Sequence, residues 1–212
     1  MEAKFWLQRW EDNKIGFHRS DVNPVLQNYF ARLSLLKGSR IFLPLCGKTL
    51  DIAWLLSEGY RIVGVELSEI AIQQLFDELG VEPQVSRLEH FSLYLAKDID
   101  IFVGDIFDLS NKILAPVDAI YDRAALVALP EAMRRRYTAQ LVAITGKVPQ
   151  LLVTYEYDQN LMDGPPFSVS SAEVKQHYSN SYALTSIASS EVPGGFKGMC
   201  AAQEHVWLLQ AH

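Results

Sequence analysis

Between Ser39 and Glu66 the apolar positions change their spacing twice. Ile41, Phe42 and Leu43 are consecutive, as in a strand buried on both faces. Pro44 to Lys48 interrupt the run with a Pro and a Gly and predict a turn. Ile52, Leu55 and Leu56 then share one face at helical spacing, and Gly59 suits the helix end, because glycine takes the left-handed conformation at little cost. Arg61 to Glu66 (R-I-V-G-V-E) predict a second buried strand closed by an acid. A strand, a helix and a strand in so short a stretch imply a right-handed βαβ unit with parallel strands.

The same pattern continues along the chain. Pro24 to Lys37 predict a helix capped by Asn23, with Val25, Leu26, Tyr29, Phe30 and Leu33 turned inward. Ser68 caps a helix over 69–79, with Ile70, Ile72, Leu75, Phe76 and Leu79 as core positions and Gly80 as its stop. Residues 91–96 and 99–103 flank Lys97-Asp98 and predict a hairpin. Further strands are expected over 116–122 and 150–157. Pro130 opens a helix to about Thr145, and its Arg134, Arg135 and Arg136 predict a solvated face. Residues 158–170 form a Pro/Gly loop suited to shaping a pocket. A short helix over 171–178 follows, with His177 expected at the surface. Alternation over 182–189 and 202–209 predicts a terminal antiparallel pair. The fold class is α/β, and with no repeat or linker the whole chain is expected to be one domain.

In a parallel sheet, ligands sit beyond the carboxyl ends of the strands. Both the Leu45–Lys48 turn and Glu66 fall at such ends. Glu66 follows Gly47 by about twenty positions, the spacing at which a nucleotide fold places a ribose-binding carboxylate. The turn, P-L-C-G-K, lacks the three glycines that close backbone amides around a pyrophosphate. It argues for an adenosine ligand without a diphosphate, of which S-adenosylmethionine is the commonest on this architecture. Spacing alone leaves open an ordinary turn glycine and a solvated strand-end acid. Asp105 and Ile106 follow another strand, where an acid can accept from an adenine amine and an isoleucine can cover the ring; Asp105 equally suits a turn. Arg123 follows the 116–122 strand, and its planar fork suits a carboxylate or an anionic heterocycle, or a pairing with Asp122 or Asp118.

The N-terminal stretch 1–23 holds Phe5, Trp6, Trp10 and Phe17 and predicts a lid segment. Trp10 and Phe17 suit stacking on a planar ligand, while Trp6 suits fastening the segment to the core. Composition narrows the partners. The net charge of −6 argues against nucleic acid, and no apolar run approaches a bilayer span. Cys46 and Cys200 match no metal spacing, and the N-terminus lacks a signal-peptide pattern, so a cytoplasmic protein with reduced thiols and no metal is expected. Nucleophile motifs such as G-x-S-x-G are absent, as is H-E-x-x-H. Methyl transfer from a sulfonium fits, because positioning and a dry site supply most of what it needs.

Six segments in order carry a family resemblance: F-W-L-Q-R-W at Phe5–Trp10, G-F-H at Gly16–His18, R-I-F-L-P-L-C-G-K at Arg40–Lys48, V-G-V-E-L-S at Val63–Ser68, G-D-I-F-D-L at Gly104–Leu109 and Y-D-R-A-A-L-V-A-L-P at Tyr121–Pro130. The chain resembles the thiopurine S-methyltransferases, in their compact bacterial form, within the class I S-adenosylmethionine-dependent methyltransferases. The resemblance implies a Rossmann-like, seven-stranded, mostly parallel sheet with an antiparallel last strand and helices on both faces. It implies S-adenosylmethionine as methyl donor and a thiol on an aromatic heterocycle as acceptor; the protein is expected to be a monomer. Trp10, Leu45, Glu66 and Arg123 match positions around the cofactor, and Leu43, Gly47, Leu67, Asp105 and Ile106 match further lining positions. Phe17 matches the lid aromatic and, with Arg123, the reacting centre. Asp105 departs from the small hydroxyl residue of some animal members. Bacterial members are also associated with selenium or tellurium acceptors, which stay open, as do a nicotinamide-dependent oxidoreductase and a non-catalytic binding protein on the same sheet.

Overall fold

The computed structural model describes residues 3–196 and 198–212, which fall into two compact units divided after Ala119. In the first, α1 (Ala3–Glu11) and α2 (Pro24–Tyr29) precede the strand β1 (Arg40–Pro44). There follow α3 (Asp51–Ser57), β2 (Arg61–Glu66), α4 (Glu69–Leu79), β3 (Gln84–Arg87), β4 (Ser92–Ala96), β5 (Ile99–Val103) and α5 (Asn111–Leu114). The strand order within this unit is β3-β4-β5-β2-β1. The expected βαβ unit is present: β1 and β2 run parallel with Pro44 beside Val65. β5 joins β2 in parallel with Val103 beside Glu66, so all three carboxyl ends reach one edge. The 91–103 hairpin forms as β4 and β5, turning at Asp98, whose φ is 63°.

Local capping sets α4 to the residue. Ser68 Oγ accepts from the Ala71 amide, and Gly80 closes the helix in the left-handed conformation. Its core face is Ala71, Ile72, Leu75 and Phe76; Ile70, expected inside, is exposed because its position on the helix points outward. Asn23 caps α2 as expected, accepting from the Val25 amide. That helix is shorter than predicted, however. It gives way to a 3-10 turn at Phe30–Leu33 and stops at Ser34, whose φ is 53°. Val25, Leu26, Phe30 and Leu33 complete the buried stripe, and Leu36 beyond them is 81% exposed, with no core left to reach.

In the second unit, β6 (Ala119–Asp122) starts the order β6-β7-β9-β8, its first residue closing the preceding segment. The others are α6 (Glu131–Thr145), β7 (Gln150–Tyr157), α7 (Ser171–Tyr178), β8 (Tyr182–Glu191) and β9 (Ala202–Ala211). β6 and β7 are parallel, and β9 is antiparallel to both β7 and β8. Nine strands occur among the described residues, against the seven implied by resemblance. β3 is one reason: all four of its residues are exposed, so it carries no apolar alternation to announce it.

Two surface expectations fail in this unit. Arg134 is buried rather than solvated: its Nε and Nη2 donate to Glu173 on α7 at 2.6 and 3.0 Å, and its Nη1 donates to the Leu129 carbonyl. His177 is also inside, its side chain 4% exposed and its Nε2 3.1 Å from Glu173. The shared carboxylate, about forty residues from Arg134 in sequence, is what draws both inward. The 158–170 loop is fastened within the unit. Phe167 donates its amide to Val127, Val169 donates to Tyr155, and the Tyr157 hydroxyl donates to Pro166.

Candidate functional site

The shared edge of β1, β2 and β5 concentrates polar chemistry on one acid. Glu66 is only 6% exposed, at the end of a strand whose apolar residues carry it inside. Its Oε2 accepts from the Gly47 amide at 2.9 Å, and its Oε1 accepts from the Ser68 amide at 2.9 Å. One carboxylate thus ties the turn after β1 to the turn after β2. Burial pushes its carboxyl above the usual range, and the amides of Ser68, Gly47 and Leu67 pull the other way. A carboxylate has about four lone-pair sites and three amides engage this one, so it keeps capacity for a further donor. A ribose hydroxyl meets that requirement.

The turn itself is lean and bent. Leu45 has a φ of 48° and Gly47 a φ of 52°, left-handed values that glycine adopts without strain and leucine does not. A Cβ at Gly47 would lie 3.1 Å from the Trp10 ring, so the absence of a side chain is what lets the indole lie on the turn. Trp10 is buried and packs edge-on against Phe17, with ring centroids 5.5 Å apart. Trp6 also packs edge-on against Phe17, with centroids 5.7 Å apart. The aromatic residues of 5–17 therefore form one cluster whose inner member covers Gly47.

Two observations separate an adenosine from a dinucleotide. A pyrophosphate needs unpaired amides in the turn, but the Cys46 amide donates to Val65 and the Gly47 amide to Glu66. The cation of the turn, Lys48, points elsewhere and pairs with Glu78 at 2.6 Å. The donor set suits a nucleoside carrying hydroxyls and no diphosphate.

Leu43 is buried in β1, and Leu45 and Leu67 flank the two turns at half-buried positions. Asp105 and Ile106 follow β5, where the Gly104 amide donates to the Glu66 carbonyl. Asp105 is exposed, its Oδ1 accepting from the Phe107 amide to start a 3-10 turn, while Ile106 is buried. The first unit therefore brings Trp10, Phe17, Gly47 and Glu66 together and sets Leu43, Leu45, Leu67, Asp105 and Ile106 along the same edge. Arg123 belongs to the second unit, directly after β6. It is half-buried, and its Nε is buried without a hydrogen-bond partner among the described residues.

Sequence reasoning missed three contributors. A Cβ on Gly64 would come within 2.7 Å of Ile101 and 2.9 Å of Cys46 Sγ. A Cβ on Gly104 would meet Phe91 at 2.5 Å. A glycine inside a strand marks such an approach, and V-G-V-E carried that signal. The third is Asp122, fully buried beside Arg123, whose partner Tyr137 lies fifteen residues on and left no short-range trace.

Residues 1–212 match the family model described as Thiopurine S-methyltransferase (TPMT). The chain belongs to the thiopurine S-methyltransferase family. It is 53% identical to a thiopurine S-methyltransferase of Xanthobacter autotrophicus, over 99% of each chain. It is 52% identical to that of Teredinibacter turnerae, over 99% of this chain and 97% of the relative. Among solved structures it is similar to the 1,6-didemethyltoxoflavin-N1-methyltransferase of Burkholderia thailandensis, determined with S-adenosylhomocysteine. That likeness has a TM-score of 0.64 at 15% identity, over 98% of this chain and 87% of the other, and it shows the fold. As a thiopurine S-methyltransferase family member the chain is an S-adenosylmethionine-dependent transferase, as the six motif segments imply. The mixed sheet with its antiparallel last strand is the class I methyltransferase fold.

Proposed function

We propose that this chain methylates the sulfur of an aromatic or heterocyclic thiol, such as a thiopurine, with Glu66 as the ribose anchor for S-adenosylmethionine. The observation that carries the reading is the Glu66 carboxylate, buried, fixed by backbone amides and still able to accept from a hydroxyl. Leu43, Leu45, Gly47, Leu67, Asp105 and Ile106 line the cofactor, with Ile106 against the base. Trp10 and Phe17 close over the reacting centre and exclude water, and residues 1–23 act as the lid of a single methyltransferase domain. The bound cofactor supplies an electrophilic methyl group. Arg123 favours the acceptor as its thiolate or thione anion, so that no dedicated general base is required. Its buried Nε, without a partner among the described residues, supports that role, because a donor left without a partner costs stability until something accepts from it. Cys46 is a poor nucleophile of its own, since burial and the nearby Glu66 charge push its thiol well above the usual range. The enzyme works as a monomer in the cytoplasm, which suits its two buried free thiols.

Calorimetry with S-adenosylhomocysteine tests the anchor. Glu66→Ala removes charge-assisted hydrogen bonds of about 1.5–3 kcal/mol and is expected to raise Kd roughly tenfold to a hundredfold. Unchanged affinity would remove Glu66 from the role. Methyl transfer to 6-mercaptopurine, compared with selenium and tellurium acceptors, tests the acceptor class.

A further inference from the structure

Arg123 leaves β6 through a bend that its own backbone does not explain. Ala124 takes a φ of 61°, a left-handed value unfavourable for alanine, and must be held there by its surroundings. The holder is the residue before Arg123. Asp122 is 0% exposed, and its Oδ1 accepts from the Leu126 amide at 3.1 Å, closing a ring over Arg123, Ala124 and Ala125. Its Oδ2 accepts from the Tyr137 hydroxyl on α6 at 2.7 Å. Beyond the bend, Ala125 to Leu129 are buried, so the segment is fixed on its far side as well. The Arg123 side chain springs from the middle of this clamp, with Nε unpartnered among the described residues.

We propose that Asp122 is a positioning residue for methyl transfer, holding the 123–126 bend so that the Arg123 guanidinium meets the acceptor. The proposal rests on the reading of Arg123 as the acceptor's counter-charge. Asp122 touches no substrate in this scheme and acts only through the backbone that carries Arg123. A side chain swung away by a relaxed bend weakens acceptor binding more than turnover.

The test is a double-mutant cycle with 6-mercaptopurine as acceptor, on Asp122→Ala, Arg123→Ala, their combination and Asp122→Asn, each checked for folding by circular dichroism. Asp122→Ala and Arg123→Ala are each expected to raise the acceptor KM about tenfold, with kcat changed less than KM. In the combination the loss is expected to match that of Arg123→Ala alone, because the clamp has nothing left to aim. Asp122→Asn keeps an oxygen for the Leu126 amide and is expected to recover most of the affinity. If Asp122→Ala does not fold, Tyr137→Phe removes the outer hydrogen bond and is read in the same way. Additive losses in the cycle, or an Asp122→Asn variant as poor as Asp122→Ala, would overturn the proposal. A silent Arg123→Ala would overturn the earlier reading of Arg123, and the proposal with it.

Discussion

Asp122 carries a cost as well as a role. Burial pushes its carboxyl up to about 6 from an ordinary 3.8, although the Tyr137 hydroxyl and the Leu126 amide both favour the ionised form. Between those two values the folded chain holds a proton that the unfolded chain has released. Stability therefore falls as pH rises through that window and does not return above it. The shift of about two units is worth on the order of 3 kcal/mol. Asp122→Asn cannot ionise, so urea unfolding at pH 4 and pH 7 is expected to show the variant gaining on the parent by about that amount at the higher pH. A difference that stays flat between the two would mean that the carboxylate is not strained by burial. A residue that destabilises the neutral protein and yet organises the bend around Arg123 is what a functional position looks like energetically.

Between elements, the buried Arg134–Glu173 pair fastens α6 to α7. Both bonds of the fork are made, and Leu129 takes the remaining donor. Glu173→Ala leaves a buried guanidinium without its carboxylate, a change that costs about 3–5 kcal/mol in such settings. Thermal unfolding should register it as a large drop in Tm, and a loss of unfolding free energy below about 1 kcal/mol would mean that water reaches Arg134 freely. The contrast with α4 shows what a sequence can disclose. Ser68 and Gly80 bound that helix to the residue because capping depends on neighbours a few positions away. Glu66 and Gly47 were legible for a similar reason: the length of one βαβ unit fixes their spacing. Arg134 and His177 were not, because the carboxylate that draws them in comes from an element whose approach no local pattern encodes. β3 was silent for the opposite reason, having no buried face at all.

For the molecule as a whole, ligand binding and folding draw on one equilibrium. S-adenosylhomocysteine at about a hundred times its Kd adds roughly 2.7 kcal/mol to the folded state. For a chain of this length that corresponds to a Tm rise on the order of 5–10 °C. NAD at equal concentration is expected to leave Tm unchanged, since the amides of the β1 turn are already committed to Val65 and Glu66. A matching shift with NAD would reopen the dinucleotide reading. The aromatic cluster has an effect on biosynthesis too. Trp10 and Phe17 are synthesised before Gly47, against which the indole comes to rest. The helix that carries Trp10 therefore waits for the β1 turn to fold before it can be seated, and a nascent chain spends that interval with Trp6 and Trp10 bare.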